Sequence, residues 1–243
     1  MKKRSIKKVP GTNEETLVEL IKKIPNKKIR SYAAFTYLFG NRVSEGIGIR
    51  KNTITGYYEY ERTTRKGTKK VYVKKIVNKE QEKKGIIEYE IEPIRAWQIE
   101  YEEKKELLWC RSIHTLKIPG RPVRDSWVLV DGPNEKELVN IVLEHTQNMI
   151  KENGATAYLW EITRNNVYKA FRKHLGINNF PHKIRDQRAT KDSTTYGLDA
   201  KDLKEKYNWQ TSEMAMYYGA KNKTDIIDKM RRTNKNIINE NKD

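Results

Sequence analysis

Five side chains, spread across most of the chain, have the chemistry to act on a phosphodiester. Arg42 sits in FGNRVSEGIGIR, and His182 and Arg185 lie three apart in FPHKIRDQRATKD. Trp209 follows a helix-like stretch, and Tyr218 lies nine residues beyond it. In-line displacement at phosphorus piles negative charge on the non-bridging oxygens, and two guanidiniums giving paired hydrogen bonds match that geometry. His182, on the same helix face as Arg185, could donate to such an oxygen or accept a phenol proton. Tyr218 is a weak nucleophile near neutral pH and must lose its proton during attack. The phosphotyrosine ester so formed would store the energy of the broken linkage, so rejoining needs neither ATP nor metal. Trp209 supplies an indole N–H and a ring that could shield the nucleophile. Each residue alone also has an ordinary explanation. Tyr218 is one of fourteen tyrosines and could pack beside Met214; Tyr217 is a neighbouring candidate. Arg42 could be a surface arginine after Gly40, HKIR a solvated helix start, and Trp209 a core indole.

Taken in order and spacing, these residues resemble the catalytic domain of the tyrosine recombinases, the family of phage-type and archaeal integrases. The resemblance implies an α+β fold: a mainly α-helical catalytic domain with an inserted antiparallel β-sheet. It implies site-specific cutting and rejoining of DNA through a 3′-phosphotyrosine at Tyr218, because the family places its nucleophile nine residues after the position of Trp209. Arg42, Arg185 and His182 would stabilise the transition state. Trp209 stands where many relatives carry a second histidine and Cre-type recombinases carry tryptophan. The family's general acid is a lysine on a hairpin turn. HTLKIPGRPVRDSWVLVD resembles the family's second and third strands, with Lys117 at the turn and VLVD running into a helix from Asn134. Lys66, in RKGTKKVYV, competes, since it too lies on an expected hairpin and closer to Arg42. The strand–helix junction favours Lys117. Glu45 matches a family acid and is expected to orient Arg42 or nearby backbone rather than to react. TRNNVYKAFRKHLGI resembles the helix before HKIR. Its Arg164, Asn165, Lys169, Arg172 and Lys173 could contact phosphates or base edges, or form the outer face of an ordinary amphipathic helix. The implied partners are double-stranded DNA and three further copies of the chain on paired sites, with no metal, no cofactor and no membrane.

The likeness runs from about Thr12 to Lys221, with three departures. Only about thirty residues precede the Arg42 region, so the N-terminal core-binding domain of relatives is expected to be absent. Residues 52–110 are longer than the usual strand pair. Asp186 stands where histidine is common, and an acid there would weaken a phosphate site unless its side chain points away. Two other functions fit the same residues: a type IB topoisomerase-like relaxing enzyme, and a non-catalytic basic module binding DNA or RNA. For the latter, GYYEYERTTRK offers aromatics among basic residues.

The elements that must position these groups follow from pattern. Residues 1–11 read as a basic arm, 12–233 as the catalytic domain with a β-rich stretch over 52–130, and 234–243 as a flexible tail. Thr12 and Glu15 make a capping box before a helix ending at Pro25. A second helix spans roughly Lys28 to Phe39 and stops at Gly40, and Arg42 begins the next. Tyr-, Val- and Ile-rich runs between 52 and 130 predict strands joined by charged turns. Helical periodicity then returns: Leu138, Ile141, Val142 and Met149 on one helix, and Val167, Ala170 and Phe171 on a second capped by Thr163. Asp199 caps a later one.

The composition agrees. A net charge of +18 over 243 residues favours a polyanionic partner, although a lysine-rich codon bias would raise it too. Cys110 is the only cysteine, which excludes an intramolecular disulfide and suits a cytoplasmic setting, whether in a cell or in the host of a mobile element. The four histidines are scattered without zinc spacing, and no apolar run has the roughly 20 residues needed to span a bilayer.

Overall fold

The computed structural model describes residues 14–50, 54–64, 67–76, 89–114, 123–207 and 209. Three helices come first: α1 (Glu14–Lys22), α2 (Lys27–Phe39) and the short α3 (Val43–Ile47). The strands are β1 (Ile49–Arg50), β2 (Ile54–Thr64), β3 (Gly67–Ile76), β4 (Tyr89–Ile91), β5 (Ile99–Glu102), β6 (Leu107–His114) and β7 (Val123–Leu129). Four helices follow: α4 (Pro133–Asn153), α5 (Arg164–His174), α6 (Pro181–Thr194) and α7 (Ala200–Tyr207). This is the mainly helical α+β architecture expected from the resemblance.

α2 is the centre of the molecule, packing on both α4 and α6. Asn26 starts it, its side chain accepting the Ile29 N–H at 2.9 Å. Gly40 stops it in the left-handed region at φ 56°, its N–H returning to the Thr36 carbonyl. Nearly every side chain between is buried, because neighbouring elements cover it on all sides. Trp160, fully buried, meets Phe35 at 4.5 Å and Tyr32 edge-on at 5.3 Å, geometries that add to the area they remove from water. The Tyr32 hydroxyl donates to the Val43 carbonyl at 3.1 Å. That bond ties the aromatic core to α3, where Arg42 sits.

Among the described residues the strands form three separate antiparallel units rather than one sheet: β1 with β4, β2 with β3, and β5–β6–β7. The last is bound into the core through Ile99, Leu108, Cys110, Ile113 and Val128. Trp109 pairs directly with Trp127 across β6 and β7. Between Cys110 and Ile113 the register slips. Ser112 takes φ 51° there, and the Gln98 side-chain amide donates to the Arg111 and Ser112 carbonyls. Such a bulge raises local twist on the strand pair that carries Arg124.

The remaining helix boundaries follow local chemistry. Pro133 opens α4 and Gly154 closes it. The Thr163 side chain accepts the Asn166 N–H of α5. The Asp199 carboxylate accepts the Lys201 and Asp202 N–H groups of α7 at 2.7 and 2.9 Å. The Thr12 cap, the basic arm and the tail lie outside the described residues. No helix among the described residues is long and apolar enough to cross a membrane.

Candidate active site

Glu45 organises the site. Its side chain is almost wholly buried on α3 and touches three arginines from three elements. Arg42, the residue before α3, donates its backbone N–H to Glu45 Oε2 at 2.8 Å and its Nη1 to Oε1 at 3.0 Å. Arg124 of β7 donates Nη2 to Oε2 at 3.4 Å, and Arg185 of α6 brings Nη1 to 3.8 Å. Burial alone would raise the Glu45 pKa. The charges of Arg124, Arg185 and Arg42 outweigh it and hold this carboxyl below its ordinary range. One carboxylate among three guanidiniums leaves an excess of positive charge that a bound anion would complete. Glu45 thus accepts from both the backbone and the guanidinium of Arg42, the contacts that an orienting role needs.

Arg185 is nearly inaccessible. Its Nη1 donates to the Gly40 carbonyl and its Nη2 to the Tyr207 carbonyl at 3.3 Å. Burial pulls its pKa down to about 10, so it stays cationic at neutral pH. Gly40 is required at this junction for two reasons. Its φ is positive, and a Cβ there would come within 2.8 Å of the Tyr207 ring. Trp209, 4% exposed, stacks on that ring with centroids 4.9 Å apart and planes 16° apart. The Arg185 guanidinium carbon lies 5.0 Å from the Tyr207 ring and 5.8 Å from Trp209.

A cleft of about 320 Å³ opens over this cluster, lined by Asn41, Arg42, Val43, Ser44, Arg164, Tyr168, Pro181, His182 and Arg185. His182 is exposed in the first turn of α6, one residue after Pro181. Backbone N–H groups at such a terminus favour anions. The structure therefore brings Arg42, His182 and Arg185 to one cleft from segments some 140 residues apart and sets Trp209 beneath it. Lys117, its rival Lys66, Tyr217 and Tyr218 lie outside the described residues. Arg164, Asn165, Lys169, Arg172 and Lys173 are all exposed on α5, and Arg164 reaches the cleft beside Tyr168. Asp186 is half-buried and is not among the residues lining the cleft.

Sequence reading missed Arg124 and the charges under the site. Arg124 donates to Asn41 Oδ1 at 2.6 Å and to the Lys206 carbonyl at 2.8 Å, joining α3 to α7. A signal existed: Arg124 shares the inward parity of Ser126 and Val128 on β7. On α6, Arg185, Arg188 and Asp192 share the buried side with Ile184, at spacings that repeat a helical turn. Among the described residues, no group of three or more His, Cys, Asp or Glu could hold a metal ion.

The fold matches a solved recombinase structure. It superposes on the XerA recombinase with a TM-score of 0.51 at 11% identity, over 93% of this chain and 65% of that one. A Tn1549 transposon integrase solved with transposon right end DNA gives 0.47 at 14% identity, over 96% and 68%. No family model and no curated protein matches the sequence. The architecture defines the class: this is a tyrosine-recombinase catalytic fold, and the chain spans about two thirds of the XerA recombinase.

Proposed function

We propose that this protein is a site-specific DNA recombinase or integrase that cuts and rejoins double-stranded DNA through a 3′-phosphotyrosine intermediate. The observation that carries it is the convergence of Arg42, His182 and Arg185 on one cleft, with the Glu45 carboxylate shared between the arginines. The Tyr218 oxygen attacks phosphorus, its proton passing to His182 or solvent. The bond from phosphorus to the 5′ oxygen breaks, and that oxygen takes a proton from Lys117. Arg42 and Arg185 neutralise the charge gathering on the non-bridging oxygens. A free 5′ hydroxyl reverses the steps on a new partner strand. Trp209 backs Arg185 and shields the nucleophile. The basic face of α5, beginning at Arg164 in the cleft, runs along the phosphates, and four protomers act on paired sites. Attraction of this kind is sequence-tolerant and falls steeply with salt.

The test uses random-sequence duplexes whose bridging 5′ oxygens are replaced by sulfur, so that the leaving thiol does not re-attack. A denaturation-resistant protein–DNA adduct should form with the wild type and vanish in Tyr218→Phe. Arg42→Ala should retain DNA binding and slow adduct formation by about 100-fold or more. An adduct that persists in Tyr218→Phe moves the nucleophile elsewhere. No adduct from any member of the pool supports a binding module instead. Relaxation of supercoiled plasmid by dilute protein would favour a topoisomerase-like enzyme.

A further inference from the structure

The end of α7 is held from two sides. Arg124 and Arg185, both in contact with Glu45, donate to the carbonyls of its last two residues, Lys206 and Tyr207. The side chains of the same two residues turn the other way and meet in one fully buried carboxylate. Asp192 Oδ2 accepts the Tyr207 hydroxyl at 2.6 Å and lies 2.8 Å from Lys206 Nζ, while Oδ1 accepts Arg188 Nε at 3.0 Å. Arg188 continues to Glu135 at 3.6 Å, and Glu135 also pairs with Lys191. Trp209 lies two residues beyond α7, and its backbone N–H donates to the Lys204 carbonyl at 2.9 Å. Tyr218 follows nine residues later.

An apolar contact could have docked this helix at lower desolvation cost. It would not have tied the helix end to a definite orientation. Three hydrogen-bonded partners on one carboxylate do so, because each bond is directional and short in a dry interior. Asp192 is not among the residues lining the cleft, so any influence on chemistry is indirect.

We propose that Asp192 is a positioning residue: by anchoring Lys206 and Tyr207 it sets the carbonyls that orient Arg124 and Arg185. Its link to cleavage rests on the recombinase reading above, whereas the docking of α7 does not.

Two variants and two readouts test this. In Asp192→Asn, hydrogen exchange read by mass spectrometry should show amides of 200–207 opening about tenfold to a hundredfold more often, the scale of one lost charge-assisted bond in the interior. Amides of α2 should be unchanged. Lys206→Met, which removes one partner and keeps the carboxylate, should show the same local pattern more weakly. On the sulfur-substituted duplexes, Asp192→Asn should slow adduct formation at least tenfold with DNA affinity retained, and Asp192→Glu should recover part of the rate. Unchanged exchange over 200–207 in both variants overturns the inference. So does equal loss of protection throughout α2, which would make Asp192 a general stabiliser. A wild type that forms no adduct removes the recombinase reading, and exchange at 200–207 still decides whether Asp192 anchors α7.

Discussion

Two interiors lie on either side of Gly40, and they hold together differently. On one side α2 packs Tyr32, Phe35 and Phe39 against Trp160, Leu159 and Phe171 in an apolar core. On the other, Arg185, Arg188, Asp192, Lys206 and Glu135 are buried almost as deeply, with few apolar neighbours beyond Ala189, Leu203, Tyr207 and Trp209. The first gains from area removed from water and tolerates small shifts. The second must satisfy direction as well as distance, since an unpaired buried charge costs several kcal/mol. In this second interior charge meets charge, and the ion pairs hold Arg185 and Arg188 in place. Lys206 marks the strain of that choice. Burial drives its pKa down to about 8 even though Asp192 pulls the other way. The Tyr207 hydroxyl is pushed up first by burial and then by the same carboxylate.

Trp160→Ala should cost about 3–5 kcal/mol of unfolding free energy, from lost transfer energy and the cavity left behind. Denaturant titration checks it, with an unchanged slope showing that the loss is in the native core.

From the charged side, Glu45→Gln leaves three guanidiniums without their shared carboxylate and should cost about 3 kcal/mol at neutral pH. The pH dependence sharpens this. The Glu45 carboxyl is held below its ordinary value of 4.5 in the folded protein, so the unfolded chain takes up its proton first on acidification. The stability it contributes is complete above that value and disappears as pH falls through the lower folded value. Unfolding midpoints measured from pH 6 downward should converge for wild type and variant. A constant gap across the range would mean that the carboxylate charge contributes nothing.

At the seam, Gly40→Ala should cost about 1–2 kcal/mol, since φ 56° disfavours a side chain. A Cβ would also press on the Tyr207 ring, so near-ultraviolet circular dichroism should change along with the melting temperature. A melting loss without that change would place the strain in α2 alone.

The smallest effect tests Lys206 itself. Its folded pKa lies below that of an unfolded lysine, so above about pH 8 the unfolded chain binds the extra proton and stability rises with pH. The groups facing it are Asp192 and Arg188 on α6, Arg124 and the Trp127 ring on β7, and Tyr207 beside it. Relative to Lys206→Met, the wild type should gain stability between pH 8 and 10. Parallel curves would show that the ammonium titrates as if exposed.

Local pattern carried much of the architecture. Gly40 ends α2, and Thr163 and Asp199 cap helices where capping chemistry places them. Each such signal involves groups a few residues apart, so neighbours in sequence suffice to satisfy it. The β-rich stretch was legible as strands but not as three separate units, because register and partner depend on which faces the helices cover. Arg42, His182 and Arg185 could be named from residue type and order.

Their meeting around Glu45 could not be read from neighbours, nor could Arg124 as a third guanidinium some eighty residues from Glu45. Asp192 is one acid among many charges in its segment of sequence, and the packing of α7 is what buries it. A sequence by itself determines which side chains carry charge and where the backbone turns. Whether a charge is solvated or buried against a distant partner is decided only when long-range packing excludes water, and that packing gathers Arg42, Arg124 and Arg185 around Glu45.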